Sequence, residues 1–237
     1  MLDFMKFIYL LIMAAMLSLV GCDEGKICPD DLVAGNEGLS ITVKGEFNGC
    51  DEYGSSNYSI VVAAFKDGDN YAIVSKPLTN GSEDIVLKNV DASVSTVEIC
   101  VITRLREKVI TFASKELTPS DGDSDIIFSV GEVNVKPFNA INHNIFATSC
   151  VQCHGATGIS AASLNLTADE AYRNLVNVPS AVIEGEMRVR PGDASASTLW
   201  QALATDVSEA WRFDHSNLLT PERSGFVEYW INNGADD

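Results

Sequence analysis

At Val135-Lys136-Pro137 the spacing of apolar residues changes, and that change divides the chain into two textures. Before it, apolar residues alternate with polar ones or form short runs rich in Val, Ile and Thr: "SITVKGEF", "NYSIVVAAFK", "NYAIVSK", "EDIVLKNV", "STVEICVITRL", "VITFASKEL" and "DIIFSV". Turn material separates them, as in "GCDEYGSS", "KDGDN", "TNGSE" and "TPSDGDSD". Such runs, with no helical period, predict an antiparallel β-sandwich over residues 39–134. After the break the period becomes helical. Phe138, Ile141 and Ile145 share one face of a helix running into Cys150. "TADEAYRNLVN" opens with a capping box from Thr167 to Glu170 and aligns Tyr172, Leu175 and Val176. "DASASTLWQAL" presents Leu199, Trp200 and Leu203. In "TPERSGFVEYWINNGADD", Thr220 is the N-cap and Pro221 the first helical residue. Phe226, Val227, Trp230 and Ile231 form its buried stripe, and Gly234 ends it. Residues 135–237 therefore read as a small all-α domain.

The N-terminus adds a targeting signal. The apolar run Phe7–Val20 is shorter than the roughly 20 residues a spanning helix needs, and it suits an export signal. It stops at Leu19-Val20-Gly21-Cys22, which resembles a bacterial lipobox. The expectation is a signal peptide over 1–21, lipid on Cys22, and an acidic tether over 22–38 lifting the body off a membrane. The protein would face the periplasm or the cell surface. A net charge of −17 argues against nucleic acid as a partner. A protein partner would dock through a basic or uncharged face. Of the six cysteines, Cys28, Cys50 and Cys100 are left once Cys22 and the motif below are set aside. An exported chain permits a disulfide, and Cys50 with Cys100 is the preferred pairing.

The segment "SCVQCHG" places Cys150, Cys153 and His154 together in a chain with only three histidines. A zinc site would want a second ligand pair, and no other CxxC or HxH exists. A redox dithiol would want a strand–helix–strand context. The third chemistry is covalent haem attachment, with the two thiols bonded to the haem edge and the next histidine on the iron. Together with "IFATSCVQCHG", the segments "LNLTADEAYRNLVNVPS", "VRPGDASASTLWQAL" and "LTPERSGFVEYWINNGA" resemble a class-I-like c-type cytochrome domain over residues 138–237. The fold class implied is thus multi-domain α and β: an Ig-like or transthyretin-like sandwich followed by a small all-α cytochrome c domain. The resemblance implies thioethers at Cys150 and Cys153, His154 as proximal ligand, one covalent haem c, first and last helices that cross, and Leu164 and Leu166 lining the haem crevice.

The second axial ligand departs from that pattern. The loop before the last helix, "EAWRFDHSNLL", holds His215 where such domains usually carry methionine. Met187, the only methionine beyond the signal, is the alternative, and an open iron the third possibility. His143 stays on the proximal side. Arg188 and Arg190 are candidate partners for haem propionates, because Arg forks match carboxylates. Trp200, Trp211 and Trp230 read as core rather than as electron relays. The function expected is single-electron transfer rather than catalysis. The rivals are an open-haem sensor or enzyme, and a binding module in which the sandwich does the work.

Overall fold

The computed structural model describes residues 38–54, 57–118, 125–155, 160–206 and 213–237. The signal segment, Cys22, Cys28, the acidic tether up to residue 37 and Trp211 lie outside them. The seven expected strands form: β1 Leu39–Asn48, β2 Tyr58–Lys66, β3 Val74–Pro77, β4 Gly81–Val90, β5 Val94–Thr103, β6 Lys108–Glu116 and β7 Ile126–Asn134. They make two sheets, ordered β4-β1-β7 and β3-β2-β5-β6. Alternation decides which side chains meet. Ile41, Val43 and Phe47 of β1 share one core with Ile60 and Val62 of β2 and Ile99 of β5. One detail corrects the antiparallel expectation: β1 runs parallel to β7, with Val43 opposite Phe128.

β2 is buried on both faces, which alternation alone does not explain. Val61, Ala63 and Phe65 form a second apolar cluster with Ala72, Cys100 and Ile102. The segment after β2 closes beside it by pairing with the β5–β6 hairpin, Ala72 N donating to Arg106 O at 3.0 Å and Lys108 N to Asn70 O at 2.8 Å. Cys50 belongs to the main core and Cys100 to this second cluster. No disulfide joins them, which corrects the pairing preferred from sequence.

The small all-α cytochrome c domain is also corrected. Helix α1 covers Pro137–Ile141 and continues in π-helical form over Asn142–Cys150 into α2, Val151–His154. Helices α3 Ala171–Leu175 and α4 Thr198–Ala204 are short. Among the described residues, α5, Pro221–Asn232, is the one purely α-helical element of usual length. β-sheet is the dominant regular structure, and between α3 and α4 the backbone is irregular, carrying isolated bridges such as Val176–Val189 and Pro179–Met187. The cause is local. The Gly, Pro and Ser of "VPSAVIEGEMRVRPGDASAS" break helices wherever the apolar spacing would continue them. The capping box is not made either. Asn165 Oδ1 takes both the Thr167 amide, at 3.0 Å, and its hydroxyl, at 2.9 Å, an Asx arrangement that competes with a helix start. The helix begins later, after Glu170.

The last helix conforms to expectation. Thr220 Oγ1 accepts from Arg223 N, Pro221 sits in the first turn, and Phe226, Val227, Trp230 and Ile231 are buried. Its stripe serves both textures. Phe226 lies 5.1 Å from the Tyr58 ring and 6.2 Å from the Tyr53 ring, centre to centre. Trp230 lies 5.2 Å from Phe138, so the first and last helices touch. Tyr53 donates to the Val135 carbonyl at 2.6 Å and Tyr229 to that of Glu52 at 2.8 Å. Residues 38–237 thus pack as one unit with a continuous core. Phe226→Ala should cost about 3–5 kcal/mol. Because the core is shared, urea unfolding should lower the midpoint equally whether followed by near-ultraviolet or far-ultraviolet circular dichroism; two separated transitions would contradict a single packed body.

Candidate functional site

The motif helix sets the site. Phe138, Ile141, Ile145 and Phe146 are buried in the core, so the opposite end of the helix, carrying Cys150, Cys153 and His154, is held at a fixed place. The π-helical stretch Asn142–Cys150 widens each turn by about one residue relative to an α-helix, a register change common at functional sites. It ends in a cavity of about 400 Å3. Cys150, Cys153 and His154 line one wall, Leu164, Leu166 and Leu175 the interior, and His215 the facing loop. Apolar surface dominates, and Val182, Phe213 and Leu218 at its rim are exposed.

The two histidine rings stand 6.3 Å apart, centre to centre, and are tilted by 30°. Each is oriented through Nδ1. That of His154 faces the Ala161 carbonyl at 3.0 Å, and that of His215 faces the Phe213 carbonyl at 3.1 Å. A carbonyl only accepts, so both contacts require Nδ1–H and put the ring lone pair on Nε2. Burial pushes the His154 imidazole below its ordinary pKa. The Ala161 carbonyl opposes this, while His215 and Arg188 add to the lowering. Burial thus favours the neutral ring, the form that ligates metals. His215 is set by an Asx turn: Asp214 Oδ1 accepts from the Ser216 amide at 2.8 Å and its Oδ2 from Asn217 at 2.9 Å.

The remaining expected residues divide. Leu164 and Leu166 line the cavity, as does Arg188. Arg190 is exposed outside the cavity wall; its amide N donates to Ser197 Oγ at 2.8 Å. Met187 is half-buried, bridged through its backbone to Pro179 and Ser197, and also outside that wall. His143 is exposed and contacts the Asn139 carbonyl at 3.0 Å. Trp230 is core, and Trp200 is half-buried against it. Sequence reasoning missed the Ala161 carbonyl and the apolar rim. Main-chain acceptors leave no trace in residue identity, but Phe213 and Leu218 flank His215 and were open to notice.

Among the described residues, no three His, Cys, Asp or Glu side chains converge as a metal-binding group. Two imidazoles are too few for a closed zinc site, yet they suffice for an iron whose other positions a macrocycle fills. Comparison with family models, with curated proteins and with solved structures gives no match. Burial raises the Cys150 thiol to about 11, with Cys153 adding to the shift, so in a chain prepared without haem it stays protonated at neutral pH. Its alkylation by iodoacetamide, followed by mass spectrometry, should rise with pH towards a midpoint near 11; full labelling at pH 7 would contradict that burial.

Proposed function

We infer that this protein carries single electrons outside the cytoplasm, with one haem c attached through Cys150 and Cys153 and its iron held between His154 and His215. The observation that carries the reading is the pair of imidazoles whose ring centres stand 6.3 Å apart, both lining an apolar cavity that Cys150 and Cys153 also line. A metal held by both rings, about 2 Å from a nitrogen of each, would need ring centres at roughly this spacing. The cavity volume of about 400 Å3 falls within the roughly 300–1,000 Å3 typical of cofactor sites.

A bound haem supplies a one-electron ferric–ferrous couple. The chain's own residues do the rest. The two thiols hold the ring edge, so the group is kept through both oxidation states. His154 and His215 would hold the iron between them, which would leave no site for a substrate on it. Leu164, Leu166 and Leu175 exclude water, and the exposed rim of Val182, Phe213 and Leu218 brings the cavity to the surface, where a partner can approach. Two imidazoles favour a lower potential than an imidazole–thioether pair. Covalent attachment at such a motif takes place outside the cytoplasm, in keeping with an export signal and lipid on Cys22. The redox partner presents a basic or uncharged face to this acidic chain.

The test is spectroscopic. Protein made in a host that attaches haem should show a covalent haem mass after denaturation and a six-coordinate low-spin spectrum in both oxidation states. His215→Ala should convert it to a high-spin form that binds carbon monoxide, whereas Met187→Ala should leave the spectrum unchanged. A chain without covalent haem would end the reading, and an unchanged spectrum in His215→Ala would remove His215 as ligand.

A further inference from the structure

Arg188 is a cation kept almost wholly from water, 9 % exposed. Among the described residues its guanidinium donates to main-chain carbonyls alone: Nη1 to Asn174 at 2.9 Å, and Nη2 to Ala162 and to Ser163 at 3.1 Å each. Its own backbone is tied on both sides, the amide donating to Val178 O at 2.8 Å and the carbonyl accepting from Leu199 N at 3.0 Å. The turn it grips is unusual. Ala162 and Ser163 have φ of 54° and 52°, left-handed backbone that residues with a Cβ hold only when their surroundings enforce it. The residue before them, Ala161, supplies the carbonyl that faces His154 Nδ1 at 3.0 Å. A buried charge without a carboxylate beside it is costly to keep, and three carbonyl contacts are what offset that cost here.

The geometry points to Arg188 as a positioning residue for His154. Its fork holds the Ala162 and Ser163 carbonyls, fixes the left-handed turn, and thereby keeps the Ala161 carbonyl against Nδ1. The inference rests on His154 as an iron ligand for its functional consequence; the contacts themselves do not depend on that reading.

The experiment follows exchange of the His154 Nδ1–H proton with solvent, by NMR of the reduced, diamagnetic full-length protein. Wild type, Arg188→Lys and Arg188→Met are compared, with the His215 ring N–H as internal reference. Slow exchange is expected in the wild type, and at least tenfold faster exchange at His154 alone in both variants. Lysine keeps the charge but offers no planar fork to reach these carbonyls together. Slow exchange restored by Arg188→Lys would show that charge suffices and would overturn the proposal. So would an unchanged rate in Arg188→Met, or an equal acceleration at His215, which marks general loosening. Fast exchange in the wild type overturns it with no variant needed. Should no haem be attached, the electron-transfer reading fails separately, and the tautomer and exchange rate of His154 in the 15N-labelled haem-free chain decide the role of Arg188.

Discussion

The stripe Phe226, Val227, Trp230 and Ile231 on the last helix is the constraint on which the rest depends. Four large apolar side chains on one face must leave water together. They do so by packing against the sandwich through Tyr53 and Tyr58, and against the motif helix through Phe138. The position of Cys150, Cys153 and His154 follows from that contact, because the helix carrying them is anchored by Phe138, Ile141 and Ile145 at its other end. The loop that brings His215 to face them ends at the cap of the same last helix. One helix thus connects a β-rich scaffold to both imidazoles, and Tyr229 and Arg223 add bonds to Glu52 and Val109 across the same contact.

Much of this was legible in the residues, and the exceptions have physical causes. Alternation, as in β1, and short runs rich in Val, Ile and Thr, as in β2, located the seven strands, since both patterns report burial. Neither could reveal that β7 returns parallel to β1, because pairing direction depends on connections rather than on side chains. Thr220, Pro221 and Gly234 marked the last helix at both ends. The middle of the second half misled for the opposite reason. Apolar spacing in "AYRNLVNV" and "TLWQAL" is helical, but the intervening Gly, Pro and Ser leave each helix only a few residues long, so an all-α reading extended local pattern beyond its range. Thr167 had the identity of a cap, and Asn165 took its hydroxyl first.

The site shows the same division. Cys150, Cys153 and His154 were legible as a group because they lie within five consecutive residues, and the structure places all three on the cavity wall. Separating the surroundings of His215 and Met187 needed distance, which residue identity does not carry: the His215 ring centre stands 6.3 Å from that of His154 and both rings line the cavity, while Met187 lies outside its wall. Arg188 and Arg190 looked alike two positions apart. In an extended segment such a pair would share a face, yet one guanidinium is buried on carbonyls and the other is exposed.

The placement of β1 has a mechanical consequence. The chain enters its described fold at Leu39, directly into the middle strand of a three-stranded sheet, with β4 on one side and β7 on the other. A pull on residue 38 along the strand axis loads both ladders at once, so the backbone bonds on the two flanks must slide past their partners together instead of opening singly. Tension applied there would therefore meet the fold at a strand held on both flanks, far along the chain from the imidazoles.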